Sequence, residues 1–266
     1  MIDDPIPVRV IPDPPAEGRV RLRMEIAYDG GRFRGVAENA DVVTVLGSLR
    51  TVIERVVGHA VVISVAGRTD AGVHARAQVL SFDVDGARAD PAELLRAVNR
   101  TLAPAVVAQQ CAVAAPDFDA RFSAVHRHYR YLVLNRPVPD PFLAATSWWV
   151  GAELDLNAMI LACDPVLGSH DFSSFCRRPK GQAEVSLVRR VLVAEWHDLG
   201  EGLLRFDIRA NAFCHQMVRS LVGTMVDMGR GRLRAGEMTS ILAARDRSAA
   251  GQLAPPEGLC LWEVGY

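Results

Sequence analysis

Lysine is all but missing from this 266-residue chain: Lys180 stands alone beside 29 arginines. Arginine carries a planar, permanently charged fork suited to carboxylate and phosphate, although a GC-rich genome produces the same skew. The formal net charge is only -1, so charge balance neither announces nor excludes a polyanionic partner. No apolar run reaches the 18 or so residues of a helical membrane span. The opening MIDDPIPVRVIPDPPAEG is acidic and proline-rich where a signal peptide is basic and then apolar, so a cytoplasmic protein is expected. The five cysteines, Cys111, Cys163, Cys176, Cys214 and Cys260, are scattered without a C-x-x-C pair, which predicts reduced thiols and neither a disulfide framework nor a zinc cage. P-loop and G-x-S-x-G motifs are absent, and Gly229-Arg230-Gly231 lacks the remaining glycine and the preceding strand of a dinucleotide fingerprint. No cofactor and no metal are therefore expected.

What is present is a globular composition. With 50% hydrophobic and 23% charged residues, the length suggests one large or two modest domains with a substantial core. Residues 1–18 hold five of the 15 prolines without periodicity and read as a flexible tail. From Val20, apolar Leu22, Met24 and Ile26 alternate with Arg21, Arg23 and Glu25, the two-residue period of a half-buried strand. Thr44 is placed to cap a helix with Leu46, Leu49, Val52, Ile53 and Val56 on one face, and Gly58 to end it. Strand-like runs follow at 60–66 and 77–84, then a helix opened by Asp90-Pro91 and an extended segment at 105–115. The second half repeats the theme, with strands near 126–134, 187–197 and 203–211, a helix near 156–163 and another from about His215. Strands with helices on one side argue for an α+β fold with mostly antiparallel sheets. The boundary is placed near Pro116, giving units 19–115 and 116–266.

Three segments carry chemistry. Gly67-Arg68-Thr69-Asp70-Ala71-Gly72-Val73-His74 sets a charged pair in a loop between two apolar strands. Taken alone, an aspartate between glycines is most often a turn residue bonded to its own backbone. Arg121 to Arg136 holds four arginines, interleaved with aromatics and free of acids, a pattern suited to phosphates and exposed bases or simply to a solvated strand face. His126 and His128 share a face but have no third metal ligand nearby. In Asn211-Ala212-Phe213-Cys214-His215-Gln216-Met217-Val218-Arg219, Arg219 sits among apolar neighbours. An unpaired buried charge is costly, so a carboxylate should face it. Cys214-His215 reads as a coincidence of neighbours rather than a thiol nucleophile.

Together with Tyr28-Asp29-Gly30, ARFSA at 120–124, Arg127-x-Tyr-x-Tyr, His170-Asp171-Phe172 with Phe175, and Glu257-Gly258-Leu259, these segments resemble the tRNA pseudouridine synthase A family from Arg19 to Tyr266. The resemblance implies two related α/β domains with a catalytic cleft between them, a cofactor-free homodimer, and conversion of uridine to pseudouridine in the tRNA anticodon stem-loop. It implies that Asp70 is the catalytic aspartate, Arg219 its paired arginine, Tyr129 the tyrosine over the target base and Arg68 an arginine that helps extrude the nucleotide. The family usually continues Gly-Trp-Gln-x-Gln and later Thr-Val-Gln, where this chain has Gly35-Val36-Ala37-Glu38-Asn39 and Thr44-Val45-Leu46. That departure keeps two alternatives in view, a specialised paralogue acting on another uridine-containing molecule and a non-catalytic RNA-binding relative.

Overall fold

The computed structural model describes residues 13–178 and 185–266. Its strands are β1 (Arg19–Tyr28), β2 (Ser64–Val65), β3 (His74–Asp85), β4 (Val106–Val113), β5 (His126–Leu134), β6 (Trp148–Trp149), β7 (Gly168–Asp171), β8 (Val188–Asp198), β9 (Leu203–Ala210) and β10 (Leu259–Gly265). Its α-helices are α1 (Val45–Val57), α2 (Pro91–Leu102), α3 (Leu156–Leu161), α4 (Met217–Gly229) and α5 (Glu237–Ala244). The strands form one ten-stranded, mostly antiparallel sheet of order β4-β1-β3-β10-β5-β9-β8-β7, with β2 added to β3 and β6 to β5. The fold is thus α+β, as expected.

Local chemistry explains the elements that the sequence marks clearly. In β1 the alternation buries Leu22, Met24 and Ile26 completely. Helix α1 begins where the Thr44 hydroxyl accepts from the Gly47 N–H, and it stops where Gly58 enters the left-handed region at φ 73°. Asp90 caps α2 in the same way, with Pro91 in its first turn. The strand expected over 60–66 shrinks to the two residues of β2. There the Val61 N–H is taken by the Glu54 carboxylate at the end of α1, and Val62 faces solvent, so the backbone meets β3 only from Ser64 to Ala66. Of the proline-rich tail, residues 1–12 lie outside the described residues, and the Asp13 carbonyl accepts from the Arg21 guanidinium.

The halves on either side of Pro116 meet in this sheet. Strand β10, with no counterpart in the sequence reading, runs parallel to β3 through Cys260–His74 and Leu261–Ala75 and antiparallel to β5. Helices α1 and α2 pack together over the first half and α3 and α4 over the second. One hydrophobic cluster runs through both halves. Helix α4 is buried along nearly its whole length because its apolar residues cover more than one face.

Gly223 fixes how α4 meets the chain before β10. A Cβ at this position would lie 1.8 Å from the Gln252 carbonyl oxygen and 2.9 Å from its carbon, and this contact is with backbone that has little room to yield. The close approach also sets Ala254, whose N–H bonds the Arg219 carbonyl and whose own carbonyl accepts from Arg219 Nε at 2.8 Å. Gly223→Ala should therefore destabilise the protein by about 2–3 kcal/mol through overpacking, despite the better helix propensity of alanine. Urea unfolding of the two proteins checks this; an unchanged midpoint would mean that the helix and the 252–254 segment separate freely.

Candidate active site

The segment 67–73 is anchored from below by neutral polar groups. Gln78, fully buried on β3, gives its amide nitrogen to the Gly67 carbonyl at 2.7 Å and accepts from the Gly67 N–H at 3.3 Å. The Tyr28 hydroxyl lies 2.7 Å from the Thr69 hydroxyl. Burial pushes the Tyr28 phenol up to about 12, outweighing its bonds to Thr69 and Gln78, so it remains a neutral strut. Gly35, at φ 103°, brings the neighbouring strap close enough for the Val36 N–H to reach the Thr69 carbonyl at 3.2 Å. Asp70 then turns outward. Its carbonyl accepts from the Val73 N–H, while its carboxylate leaves its own backbone and crosses to the second half.

There it meets the start of α4. Arg219 Nη1 lies 3.1 Å from Asp70 Oδ2, and His215 Nε2 lies 3.1 Å from Asp70 Oδ1. The arginine side chain is only 12% exposed and the aspartate 26%, so the two groups face one another in a partly dehydrated place. The carboxylate that the setting of Arg219 demanded is Asp70, from 149 residues away.

Tyr129, on β5, is buried 5.0 Å from Phe213 in an edge-to-face contact. Its phenol is driven well above the ordinary tyrosine range, chiefly by desolvation, and stays protonated. Arg127, two residues earlier, was not foreseen as a support. Its guanidinium is mostly dehydrated and binds backbone carbonyls of Ala66, Ala124, Asn211 and Arg121. It thereby ties the root of the Asp70 loop to the root of the His215 loop. Gln78 was equally unforeseen; the only signal in the sequence is an amide inside an apolar strand.

Asp70, Arg219, Tyr129 and Arg68 all line one open cleft of 1720 Å³. Arg68 is exposed at its edge, and Arg34, Arg121, Arg177 and Arg189 also border it. Two acids along the cleft are already engaged: Glu38 with Arg50 at 2.7 Å and Asp83 with Arg21 at 2.7 Å. The local field is therefore positive although the whole chain is nearly neutral.

The cation-rich segment 121–136 behaves differently from a uniform phosphate-binding strand. Besides Arg127, Arg130 pairs with Asp207 and Arg136 with Asp140 and Glu201, while His126 and His128 face Glu263 and Asp207. Of its four arginines, Arg121 and Arg127 border the cleft. The expectation of reduced thiols is also corrected: Cys176 and Cys214 form a disulfide with Cα atoms 5.7 Å apart. The fold brings together two positions 38 residues apart that have no sequence signature, leaving Cys111, Cys163 and Cys260 free. In the divergent segment, Val36, Val45 and Leu46 are buried packing residues, and Thr44 caps α1. Val36, Val45 and Leu46 belong to the hydrophobic cluster, and the Val36 N–H bonds the Thr69 carbonyl next to Asp70.

The chain is similar to known proteins of one family. A family model described as tRNA pseudouridine synthase matches residues 26–123 and 162–266. A tRNA pseudouridine synthase A from Chromobacterium violaceum is 42% identical over 250 residues, covering 93% of each chain. One from Mesorhizobium japonicum is 42% identical over 254 residues, covering 92% of this chain and 99% of its own. Among solved structures, an archaeal box H/ACA sRNP Nop10-Cbf5 complex gives a TM-score of 0.34 at 13% identity, with 91% of this chain matched to 48% of that one. With the matched residues spanning both walls of the cleft, the chain belongs to the tRNA pseudouridine synthase family.

Proposed function

We infer that this chain converts uridine to pseudouridine in tRNA, with the target in the anticodon stem-loop. Asp70 is the carboxylate that acts at the reacting nucleoside and Arg219 is its counter-ion. Tyr129 packs against the target base, and Arg68 helps to hold the nucleotide out of its stack. The observation that carries this reading is the Asp70–Arg219 pair, 3.1 Å apart and partly dehydrated, in a cleft bordered by arginines. A carboxylate can capture or stabilise positive charge developing at an anomeric carbon. The isomerisation breaks N1–C1′, forms C5–C1′, removes a proton from C5 and returns one to N1, so it is redox-neutral and needs no external acceptor.

The cleft volume of 1720 Å³ exceeds the roughly 300–1,000 Å³ typical of small-molecule pockets and supports a polymeric substrate over a free nucleotide. Extruding a base costs a few kcal/mol, which cationic contacts and stacking supply. The units 19–115 and 116–266 act as the two walls, and the protein works as a cytoplasmic homodimer whose substrate contacts both copies.

Purified protein incubated with a tRNA transcript and with its isolated anticodon stem-loop should yield pseudouridine in both, read by nucleoside mass spectrometry. Binding should weaken steeply as salt rises. Product on a uridine mononucleotide with none on either RNA would overturn the tRNA reading in favour of a metabolite substrate.

A further inference from the structure

We propose that His215 is a positioning residue for Asp70, holding one carboxylate oxygen while Arg219 holds the other. This inference rests on the reading of Asp70 as the working carboxylate and adds a residue to it. The geometry is specific. Nε2 of His215 and Nη1 of Arg219 each lie 3.1 Å from a different oxygen of the same group, Oδ1 and Oδ2 respectively. A carboxylate with a nitrogen 3.1 Å from each oxygen cannot rotate about its Cβ–Cγ bond without losing both contacts.

A side chain 46% exposed would ordinarily wander, so the second part of the inference concerns what aims it. The backbone around His215 is clamped on three counts. Its carbonyl accepts from the Arg177 N–H at 2.9 Å, the preceding Cys214 is bonded to Cys176, and the Cys214 carbonyl accepts from the Met217 N–H at 3.1 Å. Gln216 then adopts a left-handed conformation, φ 68° and ψ 3°, with no side-chain cap on the helix that follows. A non-glycine residue holds that conformation at a cost in strain, and such residues gather at sites where a neighbouring side chain must be aimed. The turn at Gln216 sets His215 just outside α4 and Arg219 in its first turn, both directed at Asp70.

Arg219 alone supplies permanent charge; His215 supplies the second point that defines orientation. Its Nε2 lies within ion-pair distance of Oδ1. A misplacement of about 1 Å in a reacting group can cost on the order of 100-fold in rate, so removing this contact should act on turnover and leave RNA binding intact. Glutamine can bring an amide N–H to about the reach of Nε2, whereas asparagine stops near the position of Nδ1.

The test uses the full-length protein and a tRNA transcript. His215→Leu should lower kcat by roughly 10–100-fold with KM within about 3-fold, and His215→Asn should behave similarly. His215→Gln should recover to within about 5-fold of wild-type kcat, a rescue that loss of loop shape would not produce. Circular dichroism confirms folding of each variant. A Leu variant within 3-fold of wild-type kcat overturns the proposal, and so does a Gln variant no better than Leu. These outcomes separate from failure of the underlying reading: an active Asp70→Asn protein sinks the role of Asp70, whereas inert Asp70→Asn beside an unimpaired His215→Leu sinks only the role of His215.

Discussion

Asp70→Asn should lower pseudouridine formation by at least about 10⁴-fold while leaving tRNA affinity within roughly 3-fold of wild type. The substitution preserves size and removes charge. In the wild type Oδ2 accepts from Arg219 at 3.1 Å and Oδ1 lies 3.1 Å from His215 Nε2. An asparagine must turn its amide nitrogen towards one of these two side chains, so an oxygen facing a nitrogen becomes a nitrogen facing a nitrogen, and the group no longer carries a negative charge to set against positive charge growing on the sugar. A 10⁴-fold loss corresponds to about 5.4 kcal/mol of transition-state stabilisation, which is large for a hydrogen bond and ordinary for a charge acting at the reacting centre. Ground-state binding is expected instead from the arginines that border the cleft, Arg34, Arg68, Arg121, Arg177 and Arg189. Single-turnover assays and filter binding separate the two quantities. Turnover within 10-fold of wild type would remove Asp70 from the chemistry, and a matching loss of affinity would make it a binding residue instead.

How much of this was legible beforehand depended on whether a residue's need was local. The caps of α1 and α2 and the alternation of β1 are satisfied within a few residues, so Thr44, Gly58 and Asp90 announced themselves. Arg219 was legible for a different reason: a guanidinium in apolar company demands an anion, even though the sequence does not say which one. His215 was passed over because it was weighed only against its neighbour Cys214, while its partner lies on another element. Gln78 and Arg127 bind backbone carbonyls, which every residue offers, so no partner could be read from side-chain types. The central place of β10 was hidden because the chain returns between β3 and β5 only at its C-terminal end. The meeting of Cys176 with Cys214 is likewise a product of the fold, as is the diversion of Arg130 from RNA to Asp207.

That diversion leads to the largest stability effect expected. Asp207 on β9 is 8% exposed at its side chain and stands directly across from Arg130 of β5 in the strand register. Its Oδ1 accepts from His128 Nε2 at 2.7 Å and Arg130 Nε at 2.8 Å, its Oδ2 accepts from Arg205, and His197 Nε2 lies 3.5 Å away. Burial pushes the carboxyl upward, but the bonds from His128, Arg130 and Arg205 outweigh it and hold the group far below the usual carboxylate range. Arg130 in turn lies 3.9 Å from the ring centre of Trp262, and Arg76 of β3 lies 4.5 Å from the same ring. One carboxylate thus organises a ladder of cations and an aromatic across β9, β5, β10 and β3, where the two halves join. Asp207→Asn leaves those cations without their anion, and breaking a buried pair from one side costs about 3–5 kcal/mol. For a protein of this size the thermal midpoint should fall by roughly 10 °C. The sign with pH follows from the lowered value. A carboxyl that ionises more readily in the folded state contributes its full stability above its unfolded pKa of about 4, and loses it as pH falls towards the folded value. Urea midpoints measured from pH 7 down to pH 3.5 should therefore decline more steeply for wild type than for Asp207→Asn, the two converging in acid. Because His128 and Arg130 alternate with Tyr129 along β5, this cluster lies on the sheet face away from the cleft. At 20 °C the folded variant should consequently keep turnover within about 3-fold of wild type, in contrast with Asp70→Asn. Equal stability at neutral pH would show that the exposed side of the sheet solvates these arginines as well as Asp207 does.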